Sequence, residues 1–196
     1  MSRPEPPHRG RGASSKEAEI QPQRARPVFL SYANPHTAGQ QAFVDRVRSS
    51  LRSRGLTPRT LGVPRYYPDA PLEAVRRLMV ASEGLMGVAF RRTYVGQGLG
   101  NHRDGTDGRR AHPLKDQWLT SPWVQIESAM AYQIGLPVLL LRETGVLGEG
   151  VLEPGVVLGD IPTFTPDGAA GDYLDSAEWH GLLSDWESRL RRHRAP

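Results

Sequence analysis

Apolar residues in this chain fall into short unbroken runs and into stretches with a period near 3.6. Val28-Phe29-Leu30 is an unbroken run that closes on Ser31 and Tyr32, as a buried central strand over 27–32 would. Residues 39–54 then place Phe43, Val44, Val47 and Leu51 at helical spacing, with arginines on the other face, and Gly55 closes that helix. Residues 56–61 predict a second strand, which Pro58 assigns to a sheet edge. A helix starting at Pro71 carries Leu72, Val75, Leu78 and Met79 as its stripe, and Gly84 precedes a third strand over 85–90. Ser121 caps and Pro122 opens a further helix, which ends at Gly135-Leu136-Pro137 and feeds an apolar strand over 138–141. Residues 143–162 read as loop with one short strand near 156–158. Asp175 and Glu178 form a capping-box pattern ahead of the stripe Trp179, Leu182, Leu183, Trp186 and Leu190.

The order is β-α-β-α-β-loop-α-β-(β)-α. Strands alternating with helices imply a parallel sheet covered on both faces, and 196 residues suit one such domain. Ligands of open sheets of this kind bind at the carboxyl ends of the strands. The segments after Leu30, Leu61 and Phe90 therefore share one rim with the start of the Ser121 helix. Two stretches stand outside the pattern. Residues 1–26, rich in Pro, Arg, Gly and Ser, predict a disordered basic arm ahead of an ordered domain over 27–192. Residues 96–117 hold five glycines, basic residues, His102 and His112 without hydrophobic periodicity, and predict a flexible insertion able to act as a lid.

Composition narrows the function classes. No apolar run approaches the roughly 18 residues that span a bilayer, and residues 1–23 lack the apolar segment of a secretory signal. No cysteine is present, which excludes disulfides and thiolate nucleophiles or metal ligands. A cytoplasmic protein is the default, with no membrane partner. The net charge of +4 is gathered at the ends. Residues 1–27 carry six Lys/Arg against three Glu, and Arg189, Arg191, Arg192 and Arg194 crowd the C-terminus. The body between them is near neutral, which argues against a specific nucleic-acid partner.

The strongest chemical signal is Glu127, a carboxylate on a helix beside Trp123, Ile126, Met130 and Ala131. Such a group is costly to leave charged without a partner. It is either salt-bridged to an arginine of a neighbouring loop or placed for chemistry at an anomeric carbon, where a carboxylate stabilises an oxocarbenium-like transition state or attacks it. Trp123, four residues earlier on the same helix face, is either core or a wall for a ring. Ser31, Tyr32 and Asn34 follow the first strand and either shape a helix-entry turn or hydrogen-bond a sugar or phosphate. Ser121 sits on the same rim. Of Arg91 and Arg92, which follow the third strand, at least one can face an anionic ligand, and Arg91 is the candidate. His102 and His112 lack metal-site spacing, so no metal is expected. Gly96-Gln97-Gly98-Leu99-Gly100 lacks the Gly-Lys-Ser/Thr ending of a phosphate loop, and no serine stands in a Gly-x-Ser-x-Gly turn.

Three of these features together resemble Toll/interleukin-1 receptor (TIR) domains. Val28-Phe29-Leu30-Ser31-Tyr32 resembles their first box, and residues 62–71 look like their BB loop. Ser121-x-Trp123-x-x-x-Glu127 is similar to their Ser-x-Trp-Cys-x-x-Glu segment, with Val124 where cysteine is common. The resemblance covers about residues 27–190. It implies a flavodoxin-like three-layer α/β sandwich with a parallel four- to five-stranded sheet. It further implies cleavage of NAD, a substrate rather than a cofactor, at the nicotinamide–ribose bond, either as a glycohydrolase or as an ADP-ribose cyclase. Glu127 would be catalytic; Ser31 and Tyr32 would line the nucleotide cleft, and Trp123 would shape it. Assembly into a homo-oligomer through TIR surfaces follows from the same likeness. So does a separate effector protein that reads the product, as in bacterial antiphage systems. A close rival is the nucleoside 2-deoxyribosyltransferase-like family, which also places a catalytic glutamate before an Ala-x-x-x-Gly-x-Pro segment, as Glu127, Ala131, Gly135 and Pro137 do here. Its Asp-Gly-x-x-x-Glu lead-in is absent. A third alternative is a non-catalytic TIR adaptor.

Overall fold

Alternation along the strands sorts the apolar side chains into two cores, one on each face of a single sheet. The computed structural model describes residues 26–61, 71–100, 111–166 and 173–194. In chain order the elements are β1 (Arg26–Tyr32), α1 (Ala38–Ser53), β2 (Leu56–Arg59), α2 (Pro71–Val80), β3 (Leu85–Ala89), β4 (Thr93–Gly100), β5 (His112–Leu119), α3 (Pro122–Gln133), β6 (Val138–Glu143), β7 (Thr163–Phe164) and α4 (Ala177–Arg194). Five strands pair in the order β2-β1-β3-β6-β7, all parallel. Val28 and Leu30 of β1, Met86 and Val88 of β3, and Leu139 and Leu141 of β6 meet α1 and α4 on one face. Phe29, Leu85, Ala89, Val138 and Leu140 meet α2 and α3 on the other. The chain is thus an α/β three-layer sandwich of flavodoxin type, with a parallel five-stranded sheet. β2 lies at the edge, where the missing N–H of Pro58 is tolerated.

Local chemistry sets the helix ends. Thr37 caps α1 through the Gln40 N–H at 3.1 Å, and Ser121 caps α3 through the Trp123 N–H at 3.3 Å with Pro122 at the first position. α3 ends in a Schellman motif. The Leu136 N–H donates to the Ala131 carbonyl, the Gly135 N–H to that of Tyr132, and Gly135 takes φ +79°, a conformation in which other side chains are strained.

Four expectations are corrected. Within the segment 96–117, residues 96–100 and 112–117 are not structureless: β4 and β5 pair antiparallel from Thr93↔Leu119 to Gly100↔His112. Gly96, Gly98 and Gly100 alternate with larger residues on β4, so main-chain pairing makes the ribbon without an apolar face to announce it. The Tyr94 and Trp118 rings pack across its base at 5.0 Å. The fifth strand is β7 rather than 156–158, which forms a turn closed by the Gly155 N–H on the Leu158 carbonyl at 2.7 Å. α4 is capped by Ser176, whose Oγ accepts the Trp179 N–H at 3.1 Å, while Asp175 pairs with Arg46 at 2.9 Å. Arg26, assigned from sequence to the N-terminal arm, belongs to β1 and pairs with Leu56. The rest of that arm, the BB-like loop before Pro71, and His102 lie outside the described residues. Among the described residues no helix is long and apolar enough to cross a membrane.

Candidate active site

β1 sends its chain to β2 on one side, and β3 lies on the other, so the strand order reverses between β1 and β3. Crevices open at such switch points because the loops leave in opposite directions. A cleft of about 270 Å³ lies here, lined by Tyr32, Ala33 and Asn34 after β1, Leu61 after β2, Pro71, Arg92 after β3, and Ser121, Trp123 and Glu127 of α3.

Glu127 reaches this cleft from a core position. Val124, Glu127, Ser128 and Ala131 are the buried stripe of α3, so the carboxylate occupies a place that packing would give to an apolar residue. Ile126 points away and is exposed. Under the stripe, register aligns Ser31 of β1 with Gly87 of β3 and Leu140 of β6. Ser31 is 1 % exposed and its Oγ donates to Glu127 Oε2 in a short hydrogen bond. Gly87 lets the helix come this close. A Cβ there would stand 2.7 Å from Leu140 Cδ2 and 3.1 Å from Ser128 Oγ. Among the described residues no arginine pairs with Glu127. Burial raises the Glu127 pKa above the ordinary carboxylate value, and the Ser31 hydrogen bond opposes that shift.

The remaining sequence candidates divide. Trp123 is 46 % exposed and walls the cleft; the core tryptophans are Trp179 and Trp186. Tyr32 lines the cleft with its phenol oxygen accepting from Arg48 Nη2 at 2.6 Å. Asn34 and Ser121 line it too. Arg91 does not. Its N–H donates to Glu143 Oε2 at 2.8 Å, its Nε donates to the Thr144 carbonyl at 2.7 Å, and its guanidinium lies over the Trp118 ring. Arg92 stands in the cleft instead. The sequence named Arg91 as the candidate, and the fold gives the cleft to its neighbour because Glu143 and Thr144 hold Arg91. Gly87 was legible as a glycine within an apolar strand, a mark of close approach.

A buried polar cluster braces the same rim. Glu143, 4 % exposed, accepts from Gln40 Nε2 at 2.9 Å as well as from Arg91. Glu143→Ala would leave the Arg91 N–H unpaired and the Gln40 Nε2 with only its long 3.5 Å contact to the Arg91 carbonyl. The expected loss is about 3 kcal/mol of stability, read as a lower urea midpoint at unchanged m.

Ser31→Ala gives a separate test of the electrostatics. Removing the donor that favours ionised Glu127 raises its pKa further, so the carboxyl should titrate at higher pH in the variant, followed by NMR of the side-chain carboxyl. An unmoved titration would mean that the hydrogen bond does not set the charge. Among the described residues no cluster of His, Asp and Glu could hold a metal ion.

No family model and no curated protein matches the chain in sequence. Among solved structures it is similar to the CMP N-glycosidase BcmB of Clostridium botulinum, with 12% identity over 79% of this chain and 99% of that one and a TM-score of 0.48. It is also similar to the TIR domains of the activated Roq1 resistosome that directly recognises the pathogen effector XopQ. That likeness has 12% identity over 86% of this chain and 82% of that one, with a TM-score of 0.38.

Proposed function

We propose that this protein is a TIR-like enzyme that cleaves the nicotinamide–ribose bond of NAD or a related nucleotide, as a glycohydrolase or an ADP-ribose cyclase. The observation that carries the reading is Glu127, buried at the foot of the switch-point cleft, hydrogen-bonded by Ser31 and, among the described residues, without a cationic partner. A carboxylate held so is available to a cation that forms only during reaction.

The chemistry asks little else of the protein. When the bond between ribose C1′ and the pyridinium nitrogen breaks, its electron pair neutralises the nitrogen, and nicotinamide leaves without a general acid. Positive charge grows on C1′ and the ring oxygen, and the Glu127 carboxylate stabilises it in a site partly shielded from water. The Ser31 hydrogen bond favours the ionised form of that carboxylate, opposing the effect of its burial. Trp123 offers a ring face for stacking at the cleft mouth. Addition of water at C1′, with loss of a proton to solvent, completes hydrolysis; addition of an adenine nitrogen of the same molecule completes cyclisation. Homo-oligomeric assembly, a separate effector and a role in bacterial immune signalling belong to the same reading and rest on the family resemblance.

The test is incubation of the purified chain with NAD, following nicotinamide release by chromatography. Release that requires Glu127 supports the proposal. No release at high protein concentration or under crowding sinks it and favours a non-catalytic adaptor, whereas base exchange with a deoxynucleoside and indifference to NAD favour the transferase.

A further inference from the structure

Two consecutive arginines leave β3, and the fold uses them differently. Arg91 is engaged within the protein by Glu143, Thr144 and Trp118. Arg92 lines the cleft with Glu127 and Trp123. Its main chain is held: the Arg92 N–H donates to the Leu119 carbonyl at 2.9 Å, closing the base of the β4–β5 hairpin. The preceding peptide N–H is pinned by buried Glu143. Among the described residues its guanidinium touches only a neutral group, the Asn34 carbonyl, 3.4 Å from Nη1. Among the described residues it forms no ion pair, with Glu127 or any other carboxylate.

A guanidinium keeps five donors in a planar fork that matches a phosphate, and this one has most of them unused. The N-terminus of α3 opens on the same cleft through Ser121 and Trp123, adding the positive end of a twelve-residue helix. The cleft is therefore polarised. One carboxylate lies at its foot, and positive potential lies at its rim. A ligand that develops positive charge at one atom and carries permanent negative charge a few bonds away fits both ends.

We propose that Arg92 reads a phosphate, so that the substrate is a 5′-phosphorylated nucleotide rather than a free nucleoside. This rests on the glycosidic reading above and specifies its substrate class. The ribose places C1′ toward Glu127 and its 5′-phosphate toward Arg92 and the α3 N-terminus.

Two measurements on the full chain separate this proposal from the reading beneath it. In calorimetry, ribose 5-phosphate should bind at least about ten-fold more tightly than ribose, and Arg92→Ala should erase the difference while Arg92→Lys keeps part of it. In turnover, nicotinamide mononucleotide and nicotinamide riboside share the scissile bond. The ratio of their kcat/KM values should favour the phosphorylated substrate by about ten-fold or more and fall toward one in Arg92→Ala. Circular dichroism checks that the variants fold, and Arg92→Gln serves if Arg92→Ala does not. Phosphate-dependent binding that Arg92→Ala abolishes, with turnover of neither substrate, would uphold the phosphate site and overturn the glycosidic reading. Equal binding of the two sugars, turnover without phosphate preference, or a preference that Arg92→Ala retains would overturn the role of Arg92.

Discussion

Glu127→Gln should lower nicotinamide release from NAD by about 10³-fold while leaving the melting temperature unchanged or slightly raised. The activity loss follows from charge. A glutamine amide fills the same space and can still accept from Ser31, but it offers no negative charge to the developing cation at C1′. The stability outcome follows from the raised pKa of the native carboxyl. A group whose pKa is higher folded than unfolded contributes stability fully only below its unfolded pKa, and loses that contribution as pH rises through the folded value. Once ionised, the side chain is therefore a cost to folding, and the neutral amide removes it. Nicotinamide release and thermal unfolding on the same preparation check both halves. Retained activity would remove Glu127 from the chemistry. A large fall in melting temperature would mean that the carboxylate is structural, and that any activity loss is secondary.

The largest expected effect on stability lies on the opposite face of the sheet. Trp186 of α4 is fully buried among Leu183, Leu190 and the β-strand residues of that core, and its indole N–H donates to the Pro137 carbonyl at 3.0 Å. That carbonyl also accepts the Leu85 N–H at 3.0 Å, so it keeps a partner when the indole is removed. The cost of Trp186→Ala is then chiefly the lost burial and the cavity left between helix and sheet, about 4 kcal/mol. For a domain of this size that corresponds to roughly 10 °C in melting temperature. Denaturant titration gives the free energy directly, and a loss under about 1 kcal/mol would show that the helix collapses onto the sheet and refills the space.

Elements buried on two faces were legible in the sequence, because burial leaves a pattern. Val28-Phe29-Leu30 and the run over 138–141 read as central strands for that reason, and the stripes of α1, α2 and α4 read as helices against a core. The hairpin was not legible, since β4 and β5 are largely solvated and main-chain pairing holds them together. β7 is two residues long and owes its place to hydrogen bonds with the end of β6 and to the Phe164 ring stacked 3.9 Å from that of Phe43, neither of which local sequence announces. In the cleft, Glu127 stood out as a charge at an apolar position, and Ser31 was legible as a neighbour on the same rim, though not as the partner of that carboxylate. The partition of Arg91 and Arg92 depends on Glu143 and Leu119, both distant in sequence, so it became visible only with the fold.

Ser31 and Glu127 are 96 residues apart and meet only where α3 lies on the finished junction of β1 and β3. A chain still emerging from the ribosome has made Ser31, Tyr32, Asn34 and Arg92 before Glu127 exists, and until the helix docks, its carboxylate is an ordinary solvated acid. The chemistry is thus withheld from nascent and partly folded molecules by the order of synthesis itself. Under the proposed function, a cell that keeps this protein is spared the activity of its unfinished copies.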